Sequence, residues 1–264
     1  METESYRVQA SIAVNLVIDW GNTALKTGWF VGETLVETAR FSSPEELLDS
    51  LVARSVDYVL VSSTSRPADE IRQRLVRLHS DVLVLDSQTP VPIGKAYDTP
   101  HTLGADRVAA SVGATTLFPG QMCLVLDLGT CLTADLVDRK RVFQGGLISP
   151  GLSMRFRAMH EQTARLPLVK PPLAWLALTA KNTQAAMQSG VMNGYAFELN
   201  GIMEQYRQEW PGIVVVVCGG DAALFESRLK PPIFVVPELV LIGLNRILRY
   251  NVENLQADTP DSNT

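Results

Sequence analysis

The sequence predicts an α/β fold that arose by duplication, with two lobes of similar topology and a cleft between them. Residues 19–23 (DWGNT) close the apolar run 14–18, and residues 127–130 (DLGT) close the apolar run 122–126. The two leading aspartates are 108 residues apart (127 − 19 = 108) in a chain of 264. The order of predicted elements also repeats, since each half begins with three strands and continues with helices and strands in alternation.

The first half is predicted to begin with three strands and to end on a helix. A helix from 44 to about 54 is expected because Ser42 and Ser43 supply a hydroxyl cap and Pro44 suits the first turn. Residues 87–102 hold three prolines and a glycine, which indicates a long irregular loop. The remaining elements follow from apolar runs and helical spacing, with strands at 14–19, 24–30, 34–41, 58–62 and 82–85 and helices at 67–78 and 103–117.

The second half is predicted to begin after Pro119 and Gly120, which mark a turn and a domain boundary. The lobes are therefore expected at 12–118 and 119–254, with flexible termini at 1–11 and 255–264. Strands are expected at 122–128, 132–138, 141–148, 213–218 and 233–236, and helices at 152–163, 183–210, just after Asp221, and 237–251.

Composition and charge exclude several functional classes. Hydrophobic residues make up 46% and charged residues 19% of the chain, which predicts a buried core rather than disorder. The net charge is −5, and no basic block suggests a nucleic-acid partner. No apolar run suggests a membrane span or a signal peptide. The three cysteines form no CxxC pair, so we expect a reduced, cytoplasmic protein.

The two acidic turns suit phosphate and metal. A carboxylate attracts a hydrated cation, a glycine lets the backbone come close, and nearby N–H groups and hydroxyls meet anionic oxygens. Lys26 could add a point charge to the first turn. A single turn of this kind could be an ordinary hairpin, because Asp, Asn and Gly are common turn residues. Two copies favour lobes that close on one nucleotide, and hence a phosphotransferase.

Three further segments are candidates for the site. At the start of the helix after the long loop, Asp106 could orient an alcohol and Arg107 could bind a carboxylate through its planar fork, although a helix cap with a surface charge is the simpler alternative. The glycines within 145–151 imply a close backbone approach or lobe packing. The Gly219-Gly220 turn after a buried strand is weaker and could face a base or ribose. The sequence has no Walker A, GxSxG, GxGxxG or HExxH pattern.

On these residues the chain resembles a type III pantothenate kinase of the acetate and sugar kinase/Hsc70/actin superfamily, from about Val14 to Leu248. The resemblance implies a duplicated ribonuclease H-like/actin-like fold, with mixed five-stranded sheets and an interlobe cleft. The matching stretches are 19–23 with Lys26, 104–107, 127–130 through Asp135, 145–151, 163–167, Thr183 with 188–190, and 219–220.

The resemblance also implies a reaction, the ATP-dependent phosphorylation of pantothenate to 4′-phosphopantothenate, which opens coenzyme A synthesis. It implies a homodimer and a catalytic base at Asp106. The other implied roles are ATP with Mg²⁺ at Asp19, Gly21, Asn22, Thr23, Lys26, Gly129 and Thr130; pantothenate at Tyr97, Gly104, Ala105, Arg107 and Thr183; and a monovalent cation, K⁺ or NH₄⁺, at Asp127.

Two other functions stay open at the level of sequence. Some relatives are described as accessory factors for transcription, and other small alcohols are phosphorylated on the same fold. The arm before Val14 is longer than is usual in the family, and Cys131 and Leu132 differ from the usual small or threonine-rich segment. The acids at Asp19, Asp106 and Asp127 favour an enzyme.

Overall fold

The computed structural model describes residues 13–21, 24–51, 54–63, 66–75 and 82–257. The chain divides into two compact units, residues 1–85 and 86–264. The sequence instead placed the boundary between 118 and 119. Of the segments predicted to be flexible, 1–11 lies outside the described residues, as does 258–264, whereas the last helix continues to Ala257.

The first unit is built on one five-stranded mixed sheet. The strands are β1 (Val14–Trp20), β2 (Leu25–Val31), β3 (Thr34–Phe41), β4 (Tyr58–Ser63) and β5 (Val82–Leu85), in the order β3-β2-β1-β4-β5, and the helices are α1 (Pro44–Leu51) and α2 (Ala68–Leu75). β2 pairs antiparallel with both β1 and β3, whereas β4 runs parallel to β1 and β5 parallel to β4.

Both helices of the first unit bury one apolar face in the same core. Leu47 and Leu51 of α1, together with Ile71 and Leu75 of α2, join a cluster that includes Ile18 of the central strand. The start of α1 is as predicted, because the Ser43 hydroxyl accepts a hydrogen bond from the N–H of Glu46 over 3.1 Å. Capping of this kind satisfies one of the four free N–H groups of a helix start.

The second unit repeats this arrangement around a larger sheet. The strands are β6 (Gly94–Lys95), β7 (Cys123–Leu128), β8 (Cys131–Val137), β9 (Val142–Pro150), β10 (Val214–Cys218) and β11 (Phe234–Val235). Their order, β11-β10-β7-β8-β9-β6, contains the same five-strand pattern, with the same antiparallel and parallel pairs, plus one added edge strand. The helices are α3 (Ala105–Leu117), α4 (Leu152–Glu161), α5 (Thr183–Glu209), α6 (Ala222–Phe225) and α7 (Leu239–Ala257).

The added strand β6 corrects the expectation of two five-stranded sheets and of an irregular loop at 87–102. β6 pairs parallel with β9, since the N–H of Gly94 donates to the Arg141 carbonyl over 2.9 Å and that of Ala96 to the Phe143 carbonyl over 2.8 Å. A short 3₁₀ turn, Pro100–Thr102, follows. The loop is therefore anchored to the second sheet just before Tyr97.

Helix α3 belongs to the second unit because it packs closely along α7. A Cβ atom added to Gly243 of α7 would lie 1.8 Å from the Ala109 carbonyl oxygen, and one added to Gly113 would lie 2.4 Å from the Leu239 carbonyl oxygen. Ala110, Leu239 and Cys123 share one buried cluster. The turn at 119–120, which was predicted to separate the lobes, instead joins α3 to β7 within this unit.

Candidate active site

Asp106 is the second residue of α3, at the end of the anchored loop. Its Oδ1 atom accepts a hydrogen bond from the N–H of Arg107 over 2.8 Å. A Cβ atom on Gly104, the residue that caps the helix, would lie 2.5 Å from the same oxygen, so a side chain there would displace the carboxylate. Burial raises the pKa of the Asp106 carboxyl, although the N–H and the charge of Arg107 act in the opposite direction. A raised pKa makes a carboxylate a better proton acceptor.

Arg107 forms a buried ion pair with Asp135 of β8. Its Nε atom donates to both oxygens of Asp135 over 3.1 Å, and its Nη2 atom donates to Oδ1. The two residues are only 6% and 1% exposed. Burial disfavours the guanidinium cation, but the Asp135 carboxylate, together with Tyr97, more than offsets this and raises the pKa of Arg107. The fork expected to bind a substrate carboxylate is therefore engaged within the protein along its Nε–Nη2 edge.

Two aromatic rings lie beside the Arg107 guanidinium. Its central carbon is 5.8 Å from the centre of the Tyr97 ring and 5.4 Å from that of Phe143, and the two rings meet edge to face at 5.7 Å. Tyr97 reaches this position because β6 aligns the loop with Phe143. The structure thus brings together three residues predicted to serve the site: Tyr97, Asp106 and Arg107.

Gly146 makes room for this ion pair. A Cβ atom on Gly146 would lie 2.5 Å from Oδ1 of Asp135 and 2.1 Å from the Ala134 carbonyl oxygen. The register of β9 shifts just before Gly145, which has a φ of +106° that L side chains rarely adopt. Of the glycines within 145–151 for which a close backbone approach was predicted, Gly146 shows one, whereas Gly145 is distinguished by its φ.

Asp127 lies at the end of β7, between β8 and β10, in register with Thr133 and Cys218. A Cβ atom on Gly219, which has a φ of +91°, would lie 2.4 Å from its Oδ1 atom, and one on Gly129 would lie 3.3 Å away. The carboxylate is therefore cradled by two glycine turns. A carboxylate oxygen is the donor type that hard cations prefer, so Asp127 is the candidate cation ligand of this turn.

Hydrogen bonds and close contacts fix the second acidic turn, residues 127–130. The N–H of Gly129 donates to the Cys131 carbonyl over 3.1 Å, which closes the turn, and the N–H of Asp221 donates to the Leu128 carbonyl over 3.0 Å. A Cβ atom on Gly151, which caps α4, would lie 2.3 Å from the Thr130 carbonyl oxygen. The Thr130 side chain is exposed next to this contact.

Thr183 is the exposed first residue of α5, and Asn182 caps the helix by accepting a hydrogen bond from the N–H of Ala185 over 2.8 Å. The irregular segment that leads to it is fixed on α5 itself. Trp175 donates from its indole to Asn193 over 2.8 Å, and the Ser189 hydroxyl donates to the Ala177 carbonyl over 2.7 Å. Thr183 is thus presented by an anchored segment.

The structure describes only part of the first acidic turn, residues 19–23, because Asn22 and Thr23 lie outside the described residues. Asp19 and Lys26 are direct cross-strand partners of β1 and β2, so their side chains share one face of the sheet. The N–H of Gly21 donates to the Ala24 carbonyl over 3.2 Å, and a Cβ atom at Gly21 would meet that oxygen at an ordinary 3.4 Å. The described surroundings therefore do not themselves require glycine at this position.

None of the helices in the described ranges combines the length and hydropathy that a membrane crossing requires. Cys123 and Cys218 are buried, Cys131 is half-buried, and none of the three forms a disulfide.

Comparison with known proteins identifies relatives along most of the chain. A family model described as type III pantothenate kinase matches residues 15–205. The type III pantothenate kinase of Cytophaga hutchinsonii is 47% identical over 243 residues, which make up 90% of this chain and 100% of that one. That of Bacteroides fragilis is 41% identical over 242 residues, 90% of this chain and 98% of its own.

The fold is also found among solved structures. The activator of the 2-hydroxyisocaproyl-CoA dehydratase from Clostridium difficile, solved with bound ADPNP, aligns with 95% of this chain and 100% of its own, at a TM-score of 0.58 and 12% identity. That likeness bears on the fold, and with the repeated sheet topology it confirms the predicted actin-like duplication. By the family match and the identities to its relatives, the chain belongs to the type III pantothenate kinase family.

Proposed function

We propose that the chain is an ATP-dependent pantothenate kinase that produces 4′-phosphopantothenate, the first step of coenzyme A synthesis. The proposal rests above all on one observation. In a member of this family, a half-buried aspartate with a raised pKa, Asp106, opens α3 beside the fixed guanidinium of Arg107. A poised base next to anchored polar groups suits transfer to an alcohol, because phosphoryl transfer depends on positioning and charge stabilisation.

The reaction assigns one proton transfer to this chain. The primary hydroxyl of pantothenate attacks the γ-phosphorus of ATP, a new O–P bond forms, and the bond to the β–γ bridging oxygen breaks to release ADP. Asp106 accepts the hydroxyl proton as the O–P bond forms. Tyr97, Gly104, Ala105, Arg107 and Thr183 are assigned to pantothenate.

ATP binding is assigned to the two acidic hairpins. Asp19, Gly21, Asn22, Thr23 and Lys26 would serve from the first unit, and Gly129 and Thr130 from the second. Magnesium, when bound, neutralises the phosphate oxygens as charge shifts to the leaving group.

A monovalent cation, K⁺ or NH₄⁺, is assigned to Asp127. The support is the glycine cradle around its carboxylate, which a side chain at position 219 would fill. The cation would offset the negative charge of the phosphates near this carboxylate.

A cytoplasmic homodimer is part of the same proposal. The resemblance to the family supports it, and Ile148 and Phe197 are large apolar side chains that are 62% and 61% exposed. Light scattering on the purified chain should then give about twice the 28.9 kDa of one copy, and a monomer at assay concentration would contradict this part.

The function is tested by measuring ADP release in a coupled assay with ATP, Mg²⁺ and K⁺, with and without pantothenate. We expect ADP release that requires pantothenate, and a product that carries one added phosphoryl group by mass spectrometry. A parallel panel of sugars and other small alcohols serves as the control. ADP release with one of these instead would indicate another kinase, and no acceptor-dependent release would favour the accessory factor.

A further inference from the structure

Asp135 is a buried acid in an otherwise apolar stretch of strand. Its neighbours Ala134 and Leu136 face the core, and Asp135 itself is 1% exposed. Removing a carboxylate and a guanidinium from water costs several kcal/mol for each ion, and hydrophobic residues of similar size often stabilise a core at least as well. A buried pair at this position therefore points to a role besides stability.

The surroundings of the pair hold it in one geometry. The backbone of β9 carries glycine at 146, where a Cβ atom would lie 2.5 Å from Oδ1 of Asp135. The rings of Tyr97 and Phe143 flank the guanidinium on the other side. Three elements of the second unit, β6 with its following loop, β8 and β9, thus converge on the side chain of Arg107.

The backbone N–H of Arg107 also orients the proposed base, Asp106. Its N–H donates to Oδ1 of Asp106 over 2.8 Å, so the position of Arg107 and the orientation of the Asp106 carboxylate are linked. A guanidinium without Asp135 would be a buried cation next to a carboxylate one residue away. The guanidinium would then be attracted to the Asp106 carboxylate, because an unpaired buried charge is stabilised by the nearest opposite charge.

We propose that Asp135 is a positioning residue of the kinase, which holds the Nε–Nη2 edge of Arg107 away from Asp106 and fixes the 104–107 turn for pantothenate. The inference rests on the proposed function. Asp135 touches neither substrate in this scheme and acts only through Arg107. Its loss should therefore weaken the pantothenate step and leave ATP binding intact.

The test is the steady-state kinetics of Asp135→Asn. Asparagine keeps the size of the side chain and one oxygen that can accept from both Nε and Nη2, but it removes the charge. We expect the KM for pantothenate to rise about 10-fold and kcat/KM for pantothenate to fall about 10–100-fold, the range typical when a supporting contact of a reacting group is lost. The KM for ATP should stay within about twofold.

Asp138→Asn is the matched control. Asp138 lies three residues further along, at the turn between β8 and β9, where it accepts hydrogen bonds from the N–H groups of Lys140 and Val142 over 2.8 and 2.9 Å. The same chemical change there should lower the melting temperature and leave both KM values unchanged. If Asp135→Asn does not fold, Asp135→Glu replaces it, since this variant keeps the charge but displaces the guanidinium by one methylene and should show the same selective rise in the KM for pantothenate.

The outcomes separate the two proposals. A folded Asp135 variant with an unchanged KM for pantothenate, or with equal rises in both KM values, overturns the positioning role while an active wild type upholds the kinase. A wild-type chain without pantothenate-dependent turnover overturns both.

Discussion

Asp106, the proposed base, lies in an environment that disfavours an ionised carboxylate. It is the second residue of its helix, it is half-buried, and its carboxylate is oriented by the N–H of Arg107. We predict that Asp106→Asn lowers kcat by roughly 10²–10⁴-fold, the usual contribution of a positioned general base, while ATP binding persists. Turnover by coupled ADP release and ATP affinity by titration calorimetry measure the two effects separately.

Asp69→Asn is the control for this variant. Asp69 is also the second residue of a helix that starts with alanine, but it belongs to α2 and its side chain is 92% exposed. This substitution should leave kcat unchanged. Normal turnover in Asp106→Asn would remove the catalytic role of Asp106.

The same residue should limit the stability of the fold at neutral pH. Burial raises the pKa of Asp106 above the ordinary value of 3.8, so the folded state disfavours its ionised form. Such a group contributes stability that is complete below the pKa of the unfolded chain and is lost as pH rises through the folded-state pKa. We therefore expect Asp106→Asn to melt at a higher temperature than wild type at pH 8.

That gain should shrink as the pH is lowered from 8 towards the ordinary pKa of 3.8, because the wild-type carboxyl then becomes protonated and neutral like the amide. Melting temperatures across this range, followed by circular dichroism, test the sign. A variant less stable than wild type at pH 8 would show that the ionised carboxylate is better accommodated than its burial indicates.

At the scale of single residues, the sequence identified the charged groups but not their partners. Asp106 and Arg107 were predicted from their place at a helix start and Tyr97 through a family resemblance, and the structure brings the three together. Asp135 appeared only as the end of a matching stretch, although a lone acid within the apolar strand 131–137 is a signal in itself. Its pairing with Arg107 could not be predicted, because the two are 28 positions apart and on different elements.

At the scale of elements, the close packing of α3 against α7 fixes the position of the helix that carries Asp106. A Cβ atom on Gly243 would lie 1.8 Å from the Ala109 carbonyl oxygen, which is backbone and cannot rotate away. Gly243→Ala should therefore force the helices apart and lower the free energy of unfolding by about 3 kcal/mol, as in overpacked cores. Urea unfolding measures this change.

Gly201→Ala is the matched control for that prediction. Gly201 also lies inside a helix, α5, but it is exposed, and a Cβ atom there would have nothing within 4 Å. Alanine is the better helix former, so this variant should be more stable by about 0.5–1 kcal/mol. Equal effects at the two positions would mean that the helix crossing tolerates a methyl group.

The elements that the sequence missed depend on contacts between distant segments. The two-residue strand β6 follows two prolines and begins with glycine, so no local pattern indicates it; it exists because β9 offers a free edge. Likewise, the turn at 119–120 has the local chemistry of a boundary, with Gly120 at a φ of +73°. Only the packing of α3 on α7 shows that the chain on both sides of that turn belongs to one unit.

At the scale of the whole molecule, the duplication was the most predictable feature. The strands could be predicted from local sequence patterns, and two turns with the same acid–glycine–hydroxyl order mark equivalent positions in the two halves. The shared strand order confirms the repeat, with Asp19 on β1 and Asp127 on β7, the central strands of the shared five-strand pattern. Sequence could not predict which glycines are required, since Gly219 is needed by Asp127 and Gly21 has room for a Cβ atom.

Asp19 and Asp127 hold equivalent positions in the two halves of the repeat and therefore give a matched pair of variants. Asp19→Asn and Asp127→Asn make the same change in each half of the repeat, but the proposed function assigns Mg·ATP to the first carboxylate and a monovalent cation to the second. We expect Asp19→Asn to lower kcat by about 10²-fold in every salt and to raise the Mg²⁺ concentration needed for half-maximal rate.

Asp127→Asn should act differently, because its carboxylate lies in the cradle of Gly219 and Gly129. Wild type should be faster in K⁺ or NH₄⁺ than in Na⁺, and this preference should disappear in Asp127→Asn while the Mg²⁺ dependence stays as in wild type. Rates in chloride salts at constant ionic strength measure both properties. A wild type equally active in all three salts would remove the cation from Asp127, and matching defects in the two variants would mean that the halves of the repeat do not divide these tasks.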